Sequence, residues 1–201
     1  AGLIINKGLN KIKTILFNNH YSNLLGDDTQ FTGGGTYDQF NAGEVKINGV
    51  ELSLNRNIKF GNYLVPLEFS YTHTNSEFLS NFESKFEPWG SVQKGDELPY
   101  LPKHQLFTEI GLLSQKGNVF FRLKNISAMR TQAGSGTLLN EYSTDDITQI
   151  DITSEYKLNN KSNLFLTIRN LTDSRSIVAR RPAGLRPTLP RTFSAGIKFN
   201  L

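Results

Sequence analysis

Hydrophobic and polar residues alternate with a period of two along most of the chain, the spacing that sends successive side chains to opposite faces of a strand. In QIDITSEYKL, Ile150, Ile152, Tyr156 and Leu158 fall on one face, and Gln149, Asp151, Thr153, Glu155 and Lys157 on the other. YLVPLEFSYTH groups Tyr63, Val65, Leu67, Phe69 and Tyr71. The last residues set Phe193, Ala195, Ile197, Phe199 and Leu201 against Thr192, Ser194, Gly196, Lys198 and Asn200. No helical stripe competes. The pattern predicts strands near 11–24, 43–57, 63–78, 103–115, 118–131, 146–158, 163–174 and 190–201, with a stub at 1–6.

The connections alternate in length. KGLN (7–10), the stretch around IKFGN (58–62), QKGN (115–118) and NNKSN (159–163) are turn-like. Those near 25–42, 79–102, 132–145 and 175–189 are long and rich in Gly, Asn, Asp, Ser and Pro. Strict short–long alternation separates the two ends of a strand array, the anatomy of outer-membrane barrels with short periplasmic turns and longer extracellular loops. A soluble Greek-key sandwich has no reason to sort its loops in this way.

Composition agrees. The chain has 201 residues and a hydrophobic fraction of 37%, low for filling a large solid core. No stretch of 18 apolar residues exists for a transmembrane helix, but a barrel strand needs only about 9–11 alternating residues. The chain contains no cysteine, which excludes disulfides and thiolate metal sites. A net charge of +4 is too mild to point to nucleic acid. The opening AGLIINKGLN lacks an initiator methionine and the three regions of a signal peptide, so the chain reads as a piece of a longer one.

At NLTDSRSIVARRPAGLRPTLPRTFSAGIKFNL the sequence resembles the C-terminal end of TonB-dependent outer-membrane receptors. The matching elements are Asn170, Leu171 and Asp173, followed by Pro190, Arg191 and Phe193 before the final strand. FNNHYSNLL, KINGVELSL and FEPWGSVQKGDELPYLPKHQL are similar to the same barrels, especially those of ferric-citrate receptors. Leu201 departs from the aromatic residue that usually ends them, although Phe199 lies two positions earlier on the same face. The resemblance implies an all-β, antiparallel transmembrane β-barrel, of which residues 1–201 are about the last eight strands of 22. The plug domain and the TonB-contacting segment lie outside this chain. It also implies an outer-membrane location, capture of a ferric chelate (ferric citrate or another siderophore), and TonB as partner through the missing N-terminal region. Outer-membrane lipid and lipopolysaccharide are the further partners. No cofactor is implied.

Candidate chemistry concentrates in IVARRPAGLRPTLPRTF. Arg180, Arg181, Arg186 and Arg191 crowd a proline-stiffened loop between two strands. Guanidinium groups bind carboxylate and phosphate through bidentate, charge-assisted bonds, and proline limits the entropy lost in fixing them. Arg180, Arg181 and Arg186 are therefore candidate ligand-binding residues. The competing reading pairs these arginines with Asp96, Glu97, Asp145 or Asp146 on adjacent loops. Trp89 is a fourth candidate, in a loop with Phe82, Phe86 and Tyr100 whose aromatics serve packing equally well. Gly33–Gly35 lack the strand-to-helix setting of a phosphate cradle. The acidic pairs Asp27–Asp28 and Asp145–Asp146 read as solvated turns. His20, His73 and His104 are scattered, without the close spacing of a metal site, and no nucleophile–His–acid set points to an enzyme. Two other architectures fit the strand count: a complete eight-stranded membrane barrel and a soluble β-barrel or sandwich binding protein.

Overall fold

An antiparallel register carries the alternation from strand to strand. The computed structural model describes residues 1–8, 10–23, 25–27, 39–41, 43–84, 88–180 and 184–199. β1 (Gly2–Lys7) and β2 (Asn10–Tyr21) form a hairpin, and a short ribbon of β3 (Leu25–Asp27) and β4 (Gln39–Asn41) follows. β5 (Val45–Phe60) and β6 (Tyr63–Phe78) pair along their whole length. The next loop carries the ribbon β7 (Phe82–Glu83) and β8 (Ser91–Val92). β9 (His104–Leu113) and β10 (Gly117–Ile126) make the third long hairpin. A 3-10 turn, Asn140–Tyr142, precedes β11 (Ile147–Lys157) and β12 (Ser162–Arg169). The ribbon β13 (Ile177–Ala179) and β14 (Arg186–Pro187) then leads to β15 (Thr192–Phe199).

The nine long strands form one sheet in the order β1-β2-β5-β6-β9-β10-β11-β12-β15. Sheet neighbours follow one another along the chain, so the short turns leave from one end and the long connections from the other. The predicted sorting of loops is therefore real. The stub at 1–6 is a strand in its own right. β1 and β15 remain edges and do not pair with each other, which removes the closed eight-stranded barrel.

Among the predicted boundaries that move, three have a plain local reason. Near IKFGN the strand runs on through Phe60, because Gly61 (φ 57°) turns the chain within two residues. The strand predicted to reach 131 stops at Ile126. Beyond it the Ala128 and Met129 amides donate to Asp146 Oδ1 and Thr144 Oγ1, so side-chain oxygens replace the ladder. The strand predicted to reach 174 stops at Arg169, because Asn170 takes φ 52°.

The two faces differ sharply. Leu67, Ile110, Phe121, Ile152, Ile168 and Phe193 are successive cross-strand partners, an apolar row through six strands. One residue away on the other face runs the row Lys11, Asn55, Glu68, Glu109, Arg122 and Asp151. The apolar side chains are not covered: Ile110 is 46% exposed, Phe121 41% and Phe193 67%. Among the described residues the buried hydrophobics are only Val45, Phe78, Val92 and Ala179. A soluble sandwich would bury its apolar face against a second layer. This single layer leaves that face uncovered, as the outer wall of a membrane barrel is. Phe60 and Tyr63, partners beside the tight turn, lie on it with Tyr156 and Phe199 near the same end, where barrels carry an aromatic girdle.

The polar face has its own packing device. Phe17 opposes Gly49, Phe120 opposes Gly111 and Phe165 opposes Gly196. A Cβ at Gly111 or Gly196 would meet the Phe120 or Phe165 ring at 2.6 or 2.7 Å. Each ring thus lies over a bare backbone, and Arg122 and Lys198 stack on Phe120 and Phe165 at 5.7 Å.

Ile152→Arg, on the apolar row, is expected to cost the full-length barrel about 2–4 kcal/mol if that row sits near the bilayer midplane. Thr167→Arg, on the polar face, is expected to cost far less. Reversible denaturation of both variants in lipid checks this, and equal losses would contradict the assignment of faces.

Candidate functional site at the loop end of the sheet

The long loops fold onto one another. At the foot of loop 79–103, Val45, Phe78 and Val92 are fully buried and form a small core with Phe82, Trp89 and Leu98 against it. The rings of Phe78, Phe82 and Trp89 meet edge to face at 5.5–5.9 Å. Trp89 is half-buried in that cluster, where its ring fixes the β7–β8 ribbon. Phe86 lies outside the described residues.

This loop is stitched to the next. Glu97 N–H donates to Gly134 O, Tyr100 N–H to Arg130 O and Ala133 N–H to Pro88 O. Glu97 accepts from Lys103 Nζ at 2.6 Å and from Arg130 Nε at 2.9 Å, and Arg130 reaches on to Gly136 O. Burial pushes the Glu97 carboxyl up, but the bonds from Lys103 and Arg130 outweigh it and hold the group below its ordinary range.

Loop 170–191 is stitched to loop 127–146 in the same manner. Arg180 Nε donates to Ser143 O, Ile177 N–H to Asp145 Oδ2 and Ser176 Oγ to Asp146 O. Each acid proposed as an arginine partner has a bond of its own within the loops. Asp145 and Asp146 accept from backbone amides, Asp96 accepts from Gln93 N–H, and Glu97 pairs with Lys103 and Arg130. Arg180 is held by a carbonyl instead. Arg186 lies on β14, exposed, opposite Ala179. Arg181 lies outside the described residues, as do Gly33–Gly35 and Leu201.

The residues that carry the family resemblance meet as one clasp. Asn170 is buried in the left-handed conformation. Its Nδ2 donates to Ser174 O and Leu189 O, both at 2.9 Å, and its Oδ1 accepts from Ser174 N–H. Its own N–H donates to Asp151 Oδ1 at 2.8 Å, tying the loop to the polar face of the sheet. Asp173, also left-handed at φ 51°, accepts from Arg191 N–H at 2.8 Å. That backbone bond is the main reason its carboxyl lies below its ordinary range. Arg191 also donates to Leu171 O and stacks 5.8 Å over Phe193. The two sequence elements, twenty residues apart, are the two limbs that close the base of the last loop.

Sequence reasoning did not find two other groupings. Glu68 and Glu109 stand directly opposite on the polar face, where Arg122 pairs with Glu109. On the apolar face His73 and His104, scattered in the sequence, are direct cross-strand partners. Only the register between β6 and β9 reveals either pair.

The TonB dependent receptor-like, beta-barrel family model matches residues 1–171. A search of curated proteins finds no significant match. Among solved structures, the siderophore receptor PiuA from Acinetobacter baumannii superposes with a TM-score of 0.72 at 16% identity, covering 98% of this chain and 27% of that one. The ferric-catecholate import receptor Fiu from E. coli K12 gives 0.66 at 21% identity, covering 94% of this chain and 25% of that one. The copper transporter OprC gives 0.69 at 14% identity, covering 98% and 30%. This chain therefore spans about a quarter to a third of the length of these structures, and at such identities the likeness establishes the fold.

Asn170→Ala removes four side-chain bonds, the weakest from Thr172 Oγ1 at 3.5 Å, and strains a left-handed residue, for an expected loss of about 2–4 kcal/mol. The loss should appear as faster amide exchange confined to 170–191 in the full-length protein. Glu97, with its folded pKa lowered, contributes stability that is present above its unfolded value and lost as pH falls through the folded one. Amide protection across 97–104 and 130–136, measured relative to intrinsic exchange at each pH, should therefore fall on acidification in the wild type. In Glu97→Gln it should already be low at neutral pH and show less pH dependence.

Proposed function

The chain belongs to the TonB-dependent receptor β-barrel family, and from that membership we propose that residues 1–201 form a C-terminal part of the barrel of an outer-membrane receptor importing a ferric chelate. The family match over most of the chain carries this reading. The apolar face without a covering layer and the sorting of loops to one end support it independently. The role is transport rather than catalysis. The plug and the segment that contacts TonB belong to the rest of the receptor, and lipid and lipopolysaccharide surround its wall.

The cargo in this proposal is anionic, a ferric citrate or siderophore, because the last loop presents guanidinium groups. Arg181 and Arg186 are its proposed contacts. Arg180 acts mainly by holding the last loop to its neighbour through Ser143 O, and Trp89 by stiffening the wall of the mouth. The copper-transporter neighbour shares the fold alone.

Arg181→Gln with Arg186→Gln is expected to weaken binding and uptake of the ferric chelate by the full-length receptor while leaving assembly intact. The difference from wild type should narrow as salt rises, since exposed charges are screened over about 8 Å at physiological ionic strength. Arg180→Gln should instead lower the melting temperature with a smaller effect on affinity. Unchanged affinity in the double variant would remove the last loop from the binding site.

A further inference from the structure

We propose that Tyr71, His73 and His104 form a binding site for a borderline divalent transition-metal ion, of the copper–zinc class, on the apolar face of the sheet just beyond its apolar band. The site is separate from the loop cluster and from any passage on the polar face.

The placement follows from the strands. On β6 the apolar face runs Tyr63, Val65, Leu67, Phe69 and Tyr71, nine residues from end to end, the length that a tilted barrel strand needs to cross hydrocarbon. The same face continues as His73, Asn75 and Glu77, and Glu77 pairs with Lys46 of β5 at 3.4 Å. The change from apolar to polar falls at Tyr71–His73. His104 is the first residue of β9 and the direct partner of His73. Both imidazoles are therefore at the level where the wall leaves the hydrocarbon, and their hydrogen-bonding groups are exposed.

The geometry is that of a chelate. His73 Nδ1 and His104 Nδ1 are 3.4 Å apart. With metal–nitrogen bonds of about 2.05 Å, a spacing of 3.4 Å corresponds to an angle of about 112° at the metal, close to tetrahedral. The ring centroids are 4.8 Å apart, and the rings are tilted by 31°. The Tyr71 hydroxyl lies 2.8 Å from the same His104 Nδ1 and supplies an oxygen beside the pair. In the structure these contacts are hydrogen bonds whose donor and acceptor roles depend on the tautomer, and a metal ion would take the same lone pairs in their place. Imidazole nitrogen is the favoured ligand of zinc, copper and nickel, so these ions suit the site better than calcium or magnesium.

The backbone prepares the site. His104 N–H donates to Ser127 Oγ, and His104 O accepts from Ser127 N–H. Thr74 N–H donates to Lys103 O, which fixes the start of β9 against β6 beside the pair. A site of two imidazoles and a phenol leaves coordination positions for water or an external ligand, so exchangeable binding is expected rather than a permanent structural metal.

The test uses the full-length receptor in detergent, stripped with EDTA and titrated with Cu2+. Wild type should bind one ion more than His73→Gln/His104→Gln, and the electron paramagnetic resonance of that ion should show two imidazole nitrogens. His20→Gln should leave both results unchanged. Equal stoichiometry and affinity in the wild type and the double variant would overturn the proposal. Footprinting with diethyl pyrocarbonate tests the site with no substitution at all. Cu2+ should protect His73 and His104 but not His20, and equal modification with and without Cu2+ would overturn the proposal independently of how the variants fold.

Discussion

The register of the antiparallel ladder governs the rest of this molecule. Apolar and charged rows lie one residue apart on the same strands, so a slip of one position would exchange Leu67, Ile110, Phe121 and Ile152 for Glu68, Glu109, Arg122 and Asp151. In hydrocarbon such an exchange is prohibitive, because each backbone group needs a ladder partner and each charge needs water or an opposite charge. The short turns set the register at one end. Gly61 reverses the chain within two residues, Ser114 N–H donates to Gly117 O, and Leu158 N–H donates to Ser162 O. With that end fixed, the long connections are placed together at the other.

Freed from the ladder, the loops must still satisfy their backbone groups, and they do so with short polar side chains. Asp145, Asp146, Asp173, Thr144 and Asn170 each accept from an amide that no strand serves. This explains a composition that otherwise looks unsuited to a stable fold. A sheet with one apolar face and loops closed by Asn, Asp, Ser and Thr needs no deep core. The hydrophobic fraction of 37% suffices, and the buried cluster around Phe78 has only to hold one loop.

What could be read from sequence follows from what is local. Period-two patterning located all nine long strands, because alternation along a strand depends only on which environments its two faces meet. The ends of strands were less legible. Ile126 stops β10 because side chains from residues 144–146 take over its amides, a contact made across the loop. Pairings between loops were not legible either. Asp145 and Asp146 each take a backbone amide and Glu97 takes Lys103 and Arg130, partners that only the folded loops bring near. The histidines show the same limit most plainly. His73 and His104 are 31 residues apart in sequence, and their nitrogens converge only through the pairing of β6 with β9.

The clasp also clarifies what a family signature can mean. Asn170, Asp173 and Arg191 direct their polar groups at main-chain atoms of their own loop and at Asp151 on the sheet. Their chemistry is consumed in closing the last loop, whatever that loop meets on its outer side. A signature made of such residues reports how the last loop closes and not what it meets. In this chain Arg191 and Arg180 are both turned to carbonyls, so their guanidinium groups serve the scaffold of the last loop before anything that lies beyond it.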